Sequence, residues 1–91
     1  MELQNLRYFL ALCEEKNFSR AAKRCGIAQP SLTNAIQRLE RQVGGALFMR
    51  KPKIQPTALG IAVKPHFEQV VEAVQRAQRA ALRALARSAR G

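Results

Sequence analysis

A chain of 91 residues and 10.2 kDa is one domain's worth of polypeptide, and its 47% hydrophobic content separates it from a disordered basic tail. Sixteen Lys and Arg against six Asp and Glu leave a net charge of +10 and a pI of about 11.2, which directs attention to a polyanion, nucleic acid first and an anionic membrane second. Four Phe, one Tyr and no Trp argue against a β-barrel or a stacking platform for single strands, and no run approaches the roughly 18 apolar residues of a membrane span.

Leu3, Leu6, Leu10 and Cys13 recur at steps of three and four with Phe9 beside them, predicting an amphipathic helix that ends in the polar Glu14-Glu15-Lys16-Asn17. Ser19 is expected to N-cap a short second helix carrying Ala21, Ala22 and Cys25. Gly26 closes it, because glycine takes a left-handed turn without steric cost. A third helix is predicted over 29–43, with Pro30 in its first turn, where a missing N–H does no harm, and a buried stripe of Leu32, Ile36, Leu39 and Val43. Gly44-Gly45 stops it. Leu47-Phe48-Met49-Arg50 reads as a short strand, Lys51-Pro52-Lys53 as a turn and Ile54-Gln55 as a brief return strand. Thr57 then caps a helix running to about Ala89, a rod of roughly 45 Å that overhangs the preceding domain and needs a partner surface. The expected architecture is mainly α: a winged helix-turn-helix over 1–57 with a two-stranded wing, then a long linker helix over 58–91.

Ala22 is small where two helices must cross, Gly26 follows where the turn needs a positive φ, and Leu32 locks the next helix onto the previous one. That spacing is what a helix-turn-helix requires mechanically. With the stripe of helix 29–43 turned inward, its N-terminal half offers Gln29, Pro30, Ser31, Thr33, Asn34 and Gln37 outward. Asn and Gln can pair with base edges, and the Thr methyl suits that of thymine. Arg38 and Arg41 follow, suited to phosphates, and Arg50, Lys51 and Lys53 sit at the tip of the wing, suited to the flanking minor groove or backbone. Charge supports this over an ordinary solvated face. Residues 20–53 carry Arg20, Lys23, Arg24, Arg38, Arg41, Arg50, Lys51 and Lys53 against Glu40 alone, while residues 1–19 hold Arg7 and Lys16 against Glu2, Glu14 and Glu15. Arg50 has a second reading, as an anchor of the fold through a carboxylate.

In the last helix Val63, Phe67, Val70, Val74, Ala77, Ala81 and Ala84 alternate steps of four and three, with Leu82 and Leu85 beside them. Such a seam packs helix on helix, and the alanines let two backbones approach closely. The other reading folds the seam back on its own domain, which the length of the rod makes hard past Val74. Pro65 is expected to kink this helix near Lys64–Pro65, since it cannot donate to the carbonyl of Ile61. Arg79, Arg83 and Arg87 form an exposed row, with Arg76 and Arg90 near its ends. His66 stands without ligands at metal spacing, and Cys13 and Cys25 read as small buried hydrophobes in a reduced protein. No nucleophile–base pair, phosphate loop or carboxylate cluster points to an enzyme, a metal or a cofactor, and the first five residues have no signal-peptide pattern.

Leu3-Gln4-Asn5-Leu6-Arg7-Tyr8-Phe9 and Phe18-Ser19-Arg20-Ala21-Ala22 resemble the N-terminal domain of LysR-type transcriptional regulators. So do Ala28-Gln29-Pro30-Ser31-Leu32-Thr33, Ile36-Gln37-Arg38-Leu39-Glu40, Gly44, Leu47-Phe48, Arg50, Thr57 and Gly60. The resemblance covers about residues 1–60. It implies a winged helix-turn-helix whose linker helix pairs with a second subunit, and, in full-length members, a homotetramer with a C-terminal effector-sensing domain. The chain departs from the family pattern at Ala28, where Ser usually caps, and at Asn34-Ala35, where Arg-Gln is commoner. Its wing is one residue short, with Pro56 where Leu is usual.

The expectation is therefore a non-enzymatic, sequence-specific binder of double-stranded DNA. It would be homodimeric through Val63, Phe67, Val70, Val74, Ala77, Ala81, Leu82 and Leu85, and cytoplasmic, associated with the bacterial nucleoid when bound. The competing readings are a short protein that forms mixed dimers with a full-length regulator, and a cationic module that coats anionic membranes through residues 66–90.

Overall fold

A computed structural model describes residues 1–89. It contains α1 (Leu3–Glu15), α2 (Phe18–Cys25), α3 (Gln29–Val43), β1 (Phe48–Met49), β2 (Gln55–Pro56) and α4 (Ala58–Ala89). The two strands form an antiparallel ribbon with Phe48 opposite Pro56 and Met49 opposite Gln55. The first is shorter by a residue at each end than the expected Leu47–Arg50, and the second is shifted by one from the expected Ile54–Gln55. Pro56 is tolerated because a two-stranded ribbon has only edges. Arg90, expected at the end of the arginine row, lies outside the described residues.

The core sits where α1, α2, α3 and the ribbon meet. Phe9, Leu12, Leu32, Ile36, Leu39 and Leu47 are its largest fully buried side chains. The inward ridge of α3 is thus as expected at Leu32, Ile36 and Leu39, while Val43 is only half-buried and Ala35 is buried beside the ridge. In α1 the buried face centres on Phe9 and Leu12, and Leu3 and Leu10 lie at its margins. Ala21 and Ala22 are buried where α2 crosses its neighbours, as their small size requires.

The helix ends follow from capping chemistry, with one correction. Asn17, not Ser19, caps α2: its side-chain oxygen accepts the Arg20 N–H at 2.8 Å, and the helix begins at Phe18. Lys16 makes the turn between α1 and α2 in the left-handed region at φ 52°, and its N–H reaches the Leu12 carbonyl at 2.9 Å. Gly26 does close α2, at φ 71°, and the Ile27 N–H reaches back to the Ala22 carbonyl at 3.0 Å. Gly44 closes α3 at φ 88°.

The ribbon is tied to the helices through the residues that flank it. The Glu40 carboxylate accepts the Leu47 N–H at 2.8 Å. The Thr57 N–H donates to the Leu47 carbonyl at 3.0 Å. Its hydroxyl donates to the Ala46 carbonyl at 2.7 Å and accepts the Gly60 N–H at 3.1 Å, capping α4 as expected. Gly60 is obligatory for a packing reason, since a Cβ there would stand 2.4 Å from the Leu47 carbonyl oxygen.

α4 divides into two halves. In the first, Phe67 and Val71 are buried in the domain's own core, and the Phe67 ring meets Phe9 edge-on with centroids 5.3 Å apart. Leu59 and Val63 pack at the margin. Val63 and Phe67, expected in a seam between two subunits, are therefore covered by their own chain, and the packed unit extends past residue 57 to Val71. From Glu72 to Ala89 every residue is exposed except half-buried Val74. Pro65 does not interrupt the helix. It and Ile61 lie on the exposed side, where water can take the carbonyl that Pro65 leaves free. At about 1.5 Å per residue α4 is roughly 48 Å long, which accounts for the 59 × 25 × 19 Å dimensions and for a radius of gyration of 15.9 Å, against about 12 Å for a compact domain of this length.

Candidate nucleic-acid interface

Burial of Leu32, Ile36 and Leu39 fixes the rotation of α3, and that rotation decides what the other face presents. Gln29, Pro30, Ser31, Asn34, Gln37, Arg38 and Arg41 are all exposed, and Thr33 is half-buried on the flank. Gln29, Pro30, Thr33 and Asn34 border a shallow concavity of about 360 Å³. Towards the other end of α3, Asn34, Gln37, Arg38 and Arg41 face Glu2 and Tyr8 across a groove of about 510 Å³. The sequence-expected reading face is thus one continuous surface, running from small polar groups to cations along α3. Ala28 supplies no side-chain cap, Pro30 has no N–H, and the Ser31 N–H donates to the Ala28 carbonyl at 3.0 Å.

The cations divide by what holds them. Arg38 Nη1 lies 3.3 Å from a Glu2 carboxylate oxygen, a pair in which both side chains are largely exposed. Arg50 finds a ring instead of the carboxylate considered for it: its guanidinium carbon lies 4.6 Å from the centroid of Phe18, whose side chain is itself buried. That contact pins the base of the wing to α2 while leaving the arginine exposed. Lys51 and Lys53 are exposed at the tip. Among the described residues, the ion pairs engage Arg20, Arg24, Arg38 and Arg76, not Arg41, Lys51 or Lys53.

Three participants were not legible in the sequence. The Ser19 hydroxyl donates to Gln29 Oε1 at 2.8 Å, joining the first turn of α2 to the first turn of α3. Glu2 and Tyr8 reach the α3 groove from α1. None of the three belongs to a local pattern, because each is brought to α3 by the crossing of helices.

Away from this face, a groove between α1, α2 and α4 is bordered by Arg7, Glu14, Arg24, Cys25 and Gln75. Arg7 Nε is the buried side-chain polar atom without a hydrogen-bond partner among the described residues. Cys13 is buried, as expected, but Cys25 is only half-buried. Burial pushes the Cys13 thiol up to about 11, against a smaller opposing pull from Lys64, so it stays protonated at neutral pH. Burial raises Cys25 as well, opposed by Arg24. The described residues contain no group of three or more His, Cys, Asp or Glu placed to hold a metal, and no helix long and apolar enough to cross a membrane.

Comparison with known proteins agrees with this geometry. Residues 3–61 match the family described as bacterial regulatory helix-turn-helix protein, lysR family. The chain belongs to the LysR family. Among curated relatives of this LysR-family chain, the probable cat1 operon transcriptional activator of Acinetobacter lwoffii is 41% identical over 78 residues, which is 86% of the chain and 25% of that protein. The HTH-type transcriptional regulator IlvR of Caulobacter vibrioides is 43% identical over 75 residues, 81% of the chain and 25% of that regulator. The chain therefore spans about a quarter of the length of these relatives. Among solved structures, the BenM DNA-binding domain in complex with catB site 1 DNA superposes with a TM-score of 0.88 at 34% identity, covering 93% of this chain and 97% of that one. The CbnR DNA-binding domain–DNA complex gives a TM-score of 0.85 at 34% identity, covering 93% and 99%. The winged helix-turn-helix with a long C-terminal helix is the fold they share.

Proposed function

We propose that this LysR-family chain is the DNA-binding part of a transcriptional regulator that recognises specific double-stranded sequences as a homodimer. The observation that carries the reading is the exposed polar and cationic face of α3, held outward by three side chains with no exposure on the opposite face. Two structural relatives crystallised as DNA complexes support duplex DNA as the partner. In this reading α3 enters the major groove. Gln29, Pro30, Ser31, Thr33, Asn34 and Gln37 meet base edges, and Arg38 and Arg41 hold phosphates. The wing, residues 48–55, follows the flanking minor groove or backbone through Arg50, Lys51 and Lys53. α4 pairs with its twin through Val70, exposed in its first half, and through Val74, Ala77, Ala81, Leu82 and Leu85 in its uncovered half. Leu82 and Leu85 are each 67% exposed, an unusual state for two leucines one turn apart unless a partner covers them. Tetramers and effector sensing belong to a longer protein.

The test is selection of bound sites from a random duplex pool at a stated salt concentration. A paired motif should be enriched, Asn34→Ala should change the preferred bases, and Lys53→Ala should weaken every site alike while reducing the salt slope by about one unit. Absence of any enriched sequence would sink the proposal.

A further inference from the structure

An amide side chain reads adenine by donating to N7 and accepting from the N6 amino group, so the rotation in which it is held decides which base edge it meets best. The Gln29 amide is not free to turn. Its Oε1 accepts the Ser19 hydroxyl at 2.8 Å, and it stands at the edge of the concavity shared with Pro30, Thr33 and Asn34. The oxygen keeps a second lone pair, but the bond to α2 holds the amide in one rotation and leaves its NH₂ group to donate. Ser19 is well placed to impose this. It lies in the first turn of α2, a helix fixed by the Asn17 cap and by burial of Phe18, Ala21 and Ala22. The turn between α2 and α3 is set in turn by Gly26 at φ 71°. The hydroxyl is thus carried on a rigid frame.

We propose that Ser19 is a specificity-determining residue that acts through Gln29. By holding the amide oxygen towards α2 it turns Gln29 in favour of acceptor edges, guanine N7 and O6 or thymine O4, over the paired donor and acceptor that adenine offers. The inference rests on Gln29 meeting a base, as the proposed function has it. Ser19 itself touches no base, and its effect is confined to the position that Gln29 reads.

The experiment compares site selection by the 91-residue chain and its Ser19→Ala, Ser19→Thr and Gln29→Ala variants at one salt concentration. Ser19 and Gln29 are exposed, so the variants should melt with the parent, which a thermal scan checks. Gln29→Ala should erase preference at one base-pair position of each half-site. Ser19→Ala should alter that same position alone, admitting adenine with a change of about three- to tenfold in relative affinity. Ser19→Thr, which keeps the hydroxyl, should restore the parent preference. If Gln29→Ala changes one position and Ser19→Ala changes none, the inference fails and the proposed function stands. If Ser19→Ala weakens all sequences equally, the hydroxyl is a phosphate ligand and the inference fails. If Gln29→Ala leaves every position unchanged, the assignment of Gln29 to a base fails, and the inference goes with it.

Discussion

The two halves of α4 share one helix and one style of sequence, yet they behave as different kinds of surface. Up to Val71 the apolar residues are spent inside: Phe67 closes on Phe9, Val71 lies beside the same core, and Gly60 lets the helix start against the Leu47 carbonyl. Beyond Val71 the helix buries nothing, Val74 is half-buried, Gln75 only borders the groove with α1 and α2, and Leu82 and Leu85 stand open. A three–four repeat therefore declares that a face will be covered but not by what. The covering element depends on where the rest of the chain ends.

Substitutions can break this contrast, and the largest effect is expected in the covered half. Phe67→Ala should destabilise the fold by about 3–5 kcal/mol, the range for emptying an aromatic site in a core, read by denaturant unfolding. A cost below about 1 kcal/mol would mean that the two halves do not differ. Gly60→Ala comes next, at about 1–3 kcal/mol, because the new Cβ must push the Leu47 carbonyl or the start of α4 aside. In the uncovered half, Leu85→Glu should leave unfolding of the dilute, dissociated chain within about 0.5 kcal/mol of the parent. It should, however, weaken self-association about tenfold or more in sedimentation experiments. Loss of intrinsic stability without loss of association would reverse the assignment.

The cysteines sharpen the same contrast by chemistry. A thiol reagent at neutral pH should modify half-buried Cys25 well before Cys13, which is buried and pushed up to about 11. Because the folded Cys13 thiol releases its proton at higher pH than the unfolded one, the folded state should lose stability as pH rises from about 9 towards 11. Cys13→Ala should remove that component of the pH dependence. The smallest effect belongs to a pair open to water on both sides. Glu2→Gln should raise affinity for all duplexes by about two- to threefold, since an exposed ion pair is worth little and freeing Arg38 adds only one phosphate contact. Unchanged affinity would show that Glu2 does not compete with the backbone.

Much of the fold can be read locally. Leu32, Ile36 and Leu39 announce the buried side of α3, and with it the exposure of Asn34 and Gln37, because a helix has only one way to bury a stripe. Gly26 and Gly44 mark left-handed turns that glycine takes freely. The cap of α2 shows how narrow such reasoning is. Asn17 and Ser19 are both competent, and the choice between them rests on where Phe18 enters the core.

What the sequence by itself determined, then, is the inventory of helices, the inward ridge of α3 and the concentration of positive charge between Arg20 and Lys53. These are properties of neighbours along the chain, set by backbone geometry and side-chain type. Only the tertiary structure decided that Glu40 would hold the Leu47 amide, that Arg50 would rest on Phe18, that Ser19 would meet Gln29, and that Phe67 would turn to its own domain. Each joins elements whose separation in space is fixed by how the helices cross, and no repeat along the chain encodes that angle.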